Sequence, residues 1–376
     1  MESEAYNRYE QEEALLASEQ AAADSATGTV QPASAEPEMP AMNRAAGEPL
    51  PPDETAHQAV SPLRDSLRRL RRDRRAMVCL GFLCFLILLA LAGPPLYQHI
   101  GAPYKSGVDG LVYGPQDYHN YYHEELDRLH ELPSAQYWLG TDDIGRDILA
   151  RLMQGILVSL SVALIVEVID VVFGITIGVL AGYYGGLLDQ LLARFTDLMF
   201  AFPGLLFVIL LTGIFGASAD DAFASLPIIG ANGNARLLLV AIALAITAWP
   251  LMARYVRGQT LQIKEQQFVE AARTCGTGNA RIILRHIVPN LFSIVVVAAT
   301  LDISATIVGE AGISMLGLGV QSPGSSLGLM IASGARYTSV HPWEVLVPCV
   351  TLVLIVLAFS FIGDGLRDAF DPRAKD

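Results

Sequence analysis

The sequence predicts an all-α membrane protein with six transmembrane helices and a basic loop on the cytoplasmic side. Three observations carry this. The 376 residues are 52% hydrophobic and only 17% charged, with a mean hydropathy of +0.40, too apolar for an ordinary soluble domain. The apolar residues gather into six runs, each near the ~20 residues needed to cross a bilayer as a helix. Lys and Arg alternate between the connections in the manner that sets membrane orientation.

Residues 1–60 come first and are set apart by composition. They hold twelve acidic residues against two arginines, which accounts for most of the net charge of −13. Rich in Ala, Glu, Pro, Ser and Gln, they lack the apolar content to offset the entropy of ordering, and are expected to be a disordered acidic cytoplasmic tail. With their acidic start and no apolar core following, they are not expected to act as a signal peptide.

Residues 61–96 form a basic juxtamembrane segment and the first span. The stretch SPLRDSLRRLRRDRRAM places Arg64, Arg68, Arg69, Arg71, Arg72, Arg74 and Arg75 directly before the apolar run 76–96. This fixes the N-terminus in the cytoplasm. A cluster abutting a span is a membrane anchor, so no nucleic-acid partner is expected. Residues 97–156 follow as an external loop and an amphipathic helix. Within them Thr141 or Asp142 is expected to cap a helix carrying a stripe of Ile144, Ile148, Leu152 and Ile156.

The remaining spans fall at 157–182, 198–215, 237–255, 291–311 and 345–363, inside a five-helix core covering 157–376. Gly174, Gly178 and Gly182 repeat every four residues and line one face of the second span for close helix packing. Pro203 and Pro250 are expected to kink the third and fourth spans. The loop 257–289 carries Arg257, Lys264, Arg273, Arg281 and Arg285, which places it and the C-terminus in the cytoplasm.

No catalytic set emerges. The phosphate loop GxxxxGK[ST] and the zinc motif HExxH are absent, so ATP, if used, is bound elsewhere. The four cysteines show no paired spacing. Four acids lie at or near membrane depth: Glu167, Asp170, Asp302 and Glu310. A carboxylate there is costly and is expected to face the bundle interior or a water-filled path. Glu167 and Asp170 share a helix face; a substrate path favouring cationic solutes and plain internal hydrogen bonding are both open. In the external loop, His119, His123, Asp127 and His130 have spacings that would share one helical face and fit Zn or Ni. The competing expectation there is an interfacial helix with tyrosines at headgroup level.

The loop itself reads FVEAARTCGTGNARIILRHIVPN from residue 268 to 290. A short helix over 264–274, a turn at Gly276 and a second helix capped by Asn279 would lead to Pro289 at the start of the fifth span. Glu270, Ala271, Ala272, Gly276 and Pro289 resemble the EAA loop of ABC importer permeases. LGTDDIGRDILARLMQGILVSL, AGYYGG, DLMFAFPGLL, VGEAGISMLGLGVQSP and GDGLRDAFDPR are similar to segments of the dipeptide, oligopeptide and nickel branch, of the subunit type with a long first external loop. The likeness covers residues 62–376. Four features depart from that pattern: the acidic tail, the long loop 216–236, Leu327 where the family carries Trp, and the mid-span acids Glu167 and Asp170.

The resemblance implies a permease subunit for peptides or a related small solute in a bacterial or archaeal plasma (inner) membrane, with the EAA segment as a coupling helix. It implies a second, similar permease, two ATP-binding subunits and an external solute-binding protein as partners. The chain itself is expected to carry no cofactor and no enzymatic activity; ATP and Mg belong to the partner subunits. The alternative from another class is a self-sufficient channel or secondary transporter using the intramembrane acids.

Overall fold

A computed structural model describes residues 62–223 and 235–370; the tail 1–60 and the middle of the 216–236 connection lie outside them. The described residues build a bundle of long helices. A short basic helix α1 (Pro62–Leu70) leads to α2 (Arg74–Tyr97), whose start is capped by the Asp73 carboxylate accepting from the Arg75 and Ala76 amides at 2.8 and 3.4 Å. The segment after α2 holds a two-stranded antiparallel pair, β1 (Tyr104–Lys105) and β2 (Val112–Tyr113), and a single turn α3 (Pro115–Tyr118).

Helix α4 (Ile148–Tyr184) then runs unbroken for 37 residues. This corrects two expectations. The amphipathic piece before residue 157 is the first turns of the span itself, and its cap is Asp147, accepting from Leu149 and Ala150 at 2.8 and 3.2 Å. Thr141 and Asp142 lie upstream in a loop, and Ile144 is outside the helix. Ile148, Leu152 and Ile156 do bury together, in a core shared with α2 and the later helices.

The third span is bent. Helices α5 (Gly186–Ala201) and α6 (Gly204–Phe223) meet at 73°, with Pro203 in the break. Proline has no amide hydrogen to continue the ladder, and it pushes the preceding residue out of the helical region; Phe202 is extended, with ψ 129°. Helix α6 continues to Phe223 and α7 (Ala235–Ile263) begins at Ala235, so residues 216–223 and 235–236 of the expected loop are helical. Pro250 sits within α7.

Two short helices follow, α8 (Gln267–Thr274) and α9 (Asn279–Ile282), then a π-helical stretch Ile283–Ile287 that runs into α10 (Val288–Met315). Helices α11 (Leu327–Ala335) and α12 (Trp343–Phe370) complete the described chain. Among the described residues five helices are long and apolar enough to span a membrane, or six if the bent pair α5–α6 counts as one span.

The glycine stripe of α4 packs on α7. A Cβ at Gly174 would stand 2.4 Å from Met252 Cγ, at Gly178 2.6 Å from the Ala253 carbonyl oxygen, and at Gly182 2.7 Å from Thr260 Cβ. Two of these contacts meet less movable atoms. Gly178→Leu is therefore expected to cost roughly 1–3 kcal/mol or more, whereas Gly213→Ala on α6, where nothing lies within 4 Å, stays within about 0.5 kcal/mol. Thermal unfolding midpoints of the two variants in detergent check this; equal midpoints would remove the stripe as a packing device.

Candidate functional site

The loop between α7 and α10 is a folded unit. Val269 of α8 is fully buried and packs with Val256, Ile282 and Ile287. One residue to either side, Phe268 is 43% exposed and Glu270 and Ala271 face out. Alternation of this kind presents one helix face while anchoring the other. The helix stops where Gly276 takes φ +76°. The Gly276 amide donates to the Arg273 carbonyl at 3.0 Å and Thr277 to Ala272 at 3.1 Å, a left-handed C-terminal cap that suits glycine.

Asn279 differs from its expected role. Gly278 is the N-cap of α9, and the Asn279 side chain instead accepts a hydrogen bond from the Tyr183 hydroxyl at 3.0 Å. Lys264 Nζ donates to the Gly182 carbonyl at 2.9 Å. The loop is thus tied at two points to the last turn of α4. Beside it, Arg257 grips Asp189 through two bonds of 2.5 and 2.7 Å, joining α7 to α5. The two residues are 68 apart in the chain, and nothing in the sequence announces the pair.

The membrane acids separate into two groups. Glu167 and Asp170 on α4 meet Asp302 on α10, with ligand oxygens all within 4.8 Å of one another. Glu310, two turns further along α10, is elsewhere: it is fully buried and accepts from Ser159 at 2.7 Å and Ser314 at 2.6 Å. Its environment is that of a satisfied packing residue.

The 98–147 segment forms a compact layer, but the helical face expected for His119, His123, Asp127 and His130 is not formed, because α3 ends at Tyr118. The His119 Nδ1 sits 2.7 Å from Asp147, Asp127 accepts from the Gly107 amide at 2.7 Å, and His130 Nδ1 lies 2.6 Å from Glu344 at the start of α12. His130 and His341 stack 4.2 Å apart with planes 4° from parallel. In-plane lone pairs of two such rings do not converge on one ion, so this cluster is a hydrogen-bonded joint between the layer and α12. Glu125 organises the rest, accepting from the Tyr104 hydroxyl and, at 2.6 Å, from Ser106; burial pushes the neighbouring Tyr137 hydroxyl up to about 12.

The run Gly324-Ser325-Ser326-Leu327-Gly328 has the G-x-S-x-G spacing of a nucleophile elbow. Both serines are fully buried; Ser326 accepts from the Leu329 amide at 3.2 Å as the cap of α11, and Ser325 donates to the Arg151 carbonyl at 2.9 Å. The motif here caps a helix.

A folded loop on a bundle of five or six candidate spans sets the comparison with known proteins. The model of the binding-protein-dependent transport system inner membrane component matches residues 174–376, and that of the N-terminal transmembrane domain of oligopeptide transport permease C matches residues 61–109. The chain belongs to the binding-protein-dependent permease family. Among its relatives, the dipeptide transport system permease protein DppC of Alkalihalophilus pseudofirmus is 35% identical over 325 residues, covering 86% of this chain and 94% of the relative. The glutathione transport system permease protein GsiD of Shigella flexneri is 37% identical over 318 residues, covering 85% and 93%. A solved structure of the MetNI methionine ABC transporter, inward facing, aligns at 19% identity with a TM-score of 0.45, covering 58% of this chain and 96% of that one.

As a member of this family the chain is a multi-pass permease subunit of an ABC importer in the inner membrane, working with ATP-binding and solute-binding partners. Family membership sets aside the self-sufficient channel.

The buried and half-exposed polar joints of this permease differ in what they hold. Asp147→Ala removes both the α4 cap and the partner of buried His119, and is expected to cost about 2 kcal/mol or more. Asp189→Asn weakens a partly solvated pair and is expected to cost about 1 kcal/mol or less. Thermal midpoints in detergent should keep that order; the reverse order would show that the 98–147 layer is not held by Asp147.

Proposed function

We propose that this permease imports peptides or a related small solute, paired with a second, similar permease and two ATP-binding subunits, and fed by an external solute-binding protein. The observation that carries the reading is the outward face of α8. Phe268, Glu270 and Ala271 project from a helix pinned by Val269, which suits docking into a groove on an ATP-binding subunit. Ala271 keeps the approach close, Ala272 packs inward against the Val269 cluster, and Gly276 and Pro289 set the turn and the exit into α10. The relatives named for dipeptide and glutathione transport support the solute class.

In this reading the arginines before α2 and those of the 257–289 loop face the cytoplasm together with both termini. The 98–147 layer faces outward, where a solute-binding protein docks. ATP and Mg are bound by the partners, and this chain performs no covalent chemistry. Closure of the ATP-binding pair moves α8, and the bundle alternates its opening. Glu167, Asp170 and Asp302 bound the solute path, while Glu310 packs outside it.

Two substitutions test the docking face in the reconstituted complex. Glu270→Arg reverses a charge on the presented face and is expected to lower solute uptake by about tenfold or more. Gly276→Pro forces φ to about −65° where +76° is needed and removes a bonded amide, and is expected to uncouple ATP hydrolysis from uptake while the bundle still assembles. Uptake at the unmodified level in both variants would overturn the docking assignment.

A further inference from the structure

The cluster of Glu167, Asp170 and Asp302 has features that a packing role does not explain. Glu167 is 6% exposed and Asp170 only 1%. Both carboxylate oxygens of Glu167 and Oδ1 of Asp170 are buried with no hydrogen-bond partner. Glu310, on the same helix as Asp302, shows the contrast, because two serine hydroxyls satisfy it. No ion pair to any of the three is formed among the described residues.

A cavity of about 380 Å³ opens beside them, lined by Asp170 and Asp302. Its other walls are Ala248, Leu251, Met252, Tyr255, Ala298 and Leu301. Carboxylates turned toward hydrocarbon are costly, and acids within spans face protein or a water-filled path. The cavity mouth therefore belongs to the solute path or the partner-permease face.

Three carboxylates this close repel one another strongly when charged, and positive charge among them relieves this. The spacing defines what fits. Three oxygens within 4.8 Å of one another leave a point within about 2.8 Å of all three, a reach that suits an ammonium nitrogen or a cation of calcium size at about 2.3–2.6 Å. We propose that Glu167, Asp170 and Asp302 form a seat for a positively charged group within the solute path. The apolar cavity next to the seat, of a size that holds small ligands, favours an ammonium carried on an apolar body, such as the free amino end of an apolar peptide. This inference rests on the permease reading and names the chemistry that the path selects.

The test is equilibrium binding to the purified complex with its partner subunits, using n-butylammonium as one probe and Ca²⁺ as the other. Saturable n-butylammonium binding, weakened about tenfold or more by Asp170→Asn or Glu167→Gln, supports the seat with a solute ammonium as its occupant. Saturable Ca²⁺ binding lost in the same variants supports it with an inorganic cation. Absence of saturable binding of either probe to the unmodified complex overturns the proposal, and so does binding that both variants leave unchanged. The unmodified complex suffices for the first of these, so a variant that fails to assemble does not remove the test. Peptide uptake by the reconstituted complex is measured separately: uptake without a cation seat sinks this inference alone, and a cation seat without peptide uptake sinks the peptide reading alone.

Discussion

The close approach of α4 and α7 is the contact on which the rest of the structure depends. Without side chains at Gly174, Gly178 and Gly182, the backbone of α4 comes within van der Waals contact of Ala253 and Thr260. In lipid no hydrophobic force distinguishes a neighbouring helix from an acyl chain, so dense packing of this kind is what holds helices together. The same contact fixes the ends of both helices. Gly182 lies where Lys264 reaches back across the joint, and Tyr183 meets Asn279 one residue further on. The placement of α8 is thus set by helix packing within the bundle.

A second constraint is the disposal of polar groups. Asp147 caps α4 and holds His119; Asp189 takes Arg257 in a two-bond grip; Glu310 takes two serines. Each is a carboxylate whose oxygens are met within the chain, as buried polar groups generally are. Against that background Glu167 and Asp170 are the buried carboxylates with open oxygens among the described residues.

The sequence made the spans legible because helix-length apolar runs leave little choice of structure in a membrane. The glycine stripe and the turn at Gly276 were legible for a similar reason: few residues tolerate a close backbone approach or φ +76°. What escaped was the choice among neighbouring polar residues. Thr141, Asp142 and Asp147 are all good caps by type, and only the loop's own pairing, with Thr141 bridged to Asp147, decides that Asp147 caps α4. The histidines at helical spacing misled because the segment between residues 119 and 147 folds through turns and tertiary bonds, which spacing does not encode. Glu167 and Asp170 were recognisable as costly, but Asp302 joins them from a helix more than 130 residues away, a contact that only the packed bundle supplies.

Helix α10 links the two parts of the proposed mechanism. It begins at Val288, directly after the π-helical stretch that follows α9, and it carries Asp302 to the acid cluster. A rigid helix rises 1.5 Å per residue, so Asp302 stands about 21 Å from Val288 along one continuous element. On the proposed reading, a push on α8 passes through α9 into the base of α10. The Tyr183–Asn279 bond holds that base to α4, the helix bearing the other two acids. Relative displacement of α4 and α10 then has one direct consequence at membrane depth: it changes the separation of Asp302 from Glu167 and Asp170. A seat built across two helices grips when they are close and releases when they part, whereas a seat built on one helix would keep its affinity in both states and impede transport.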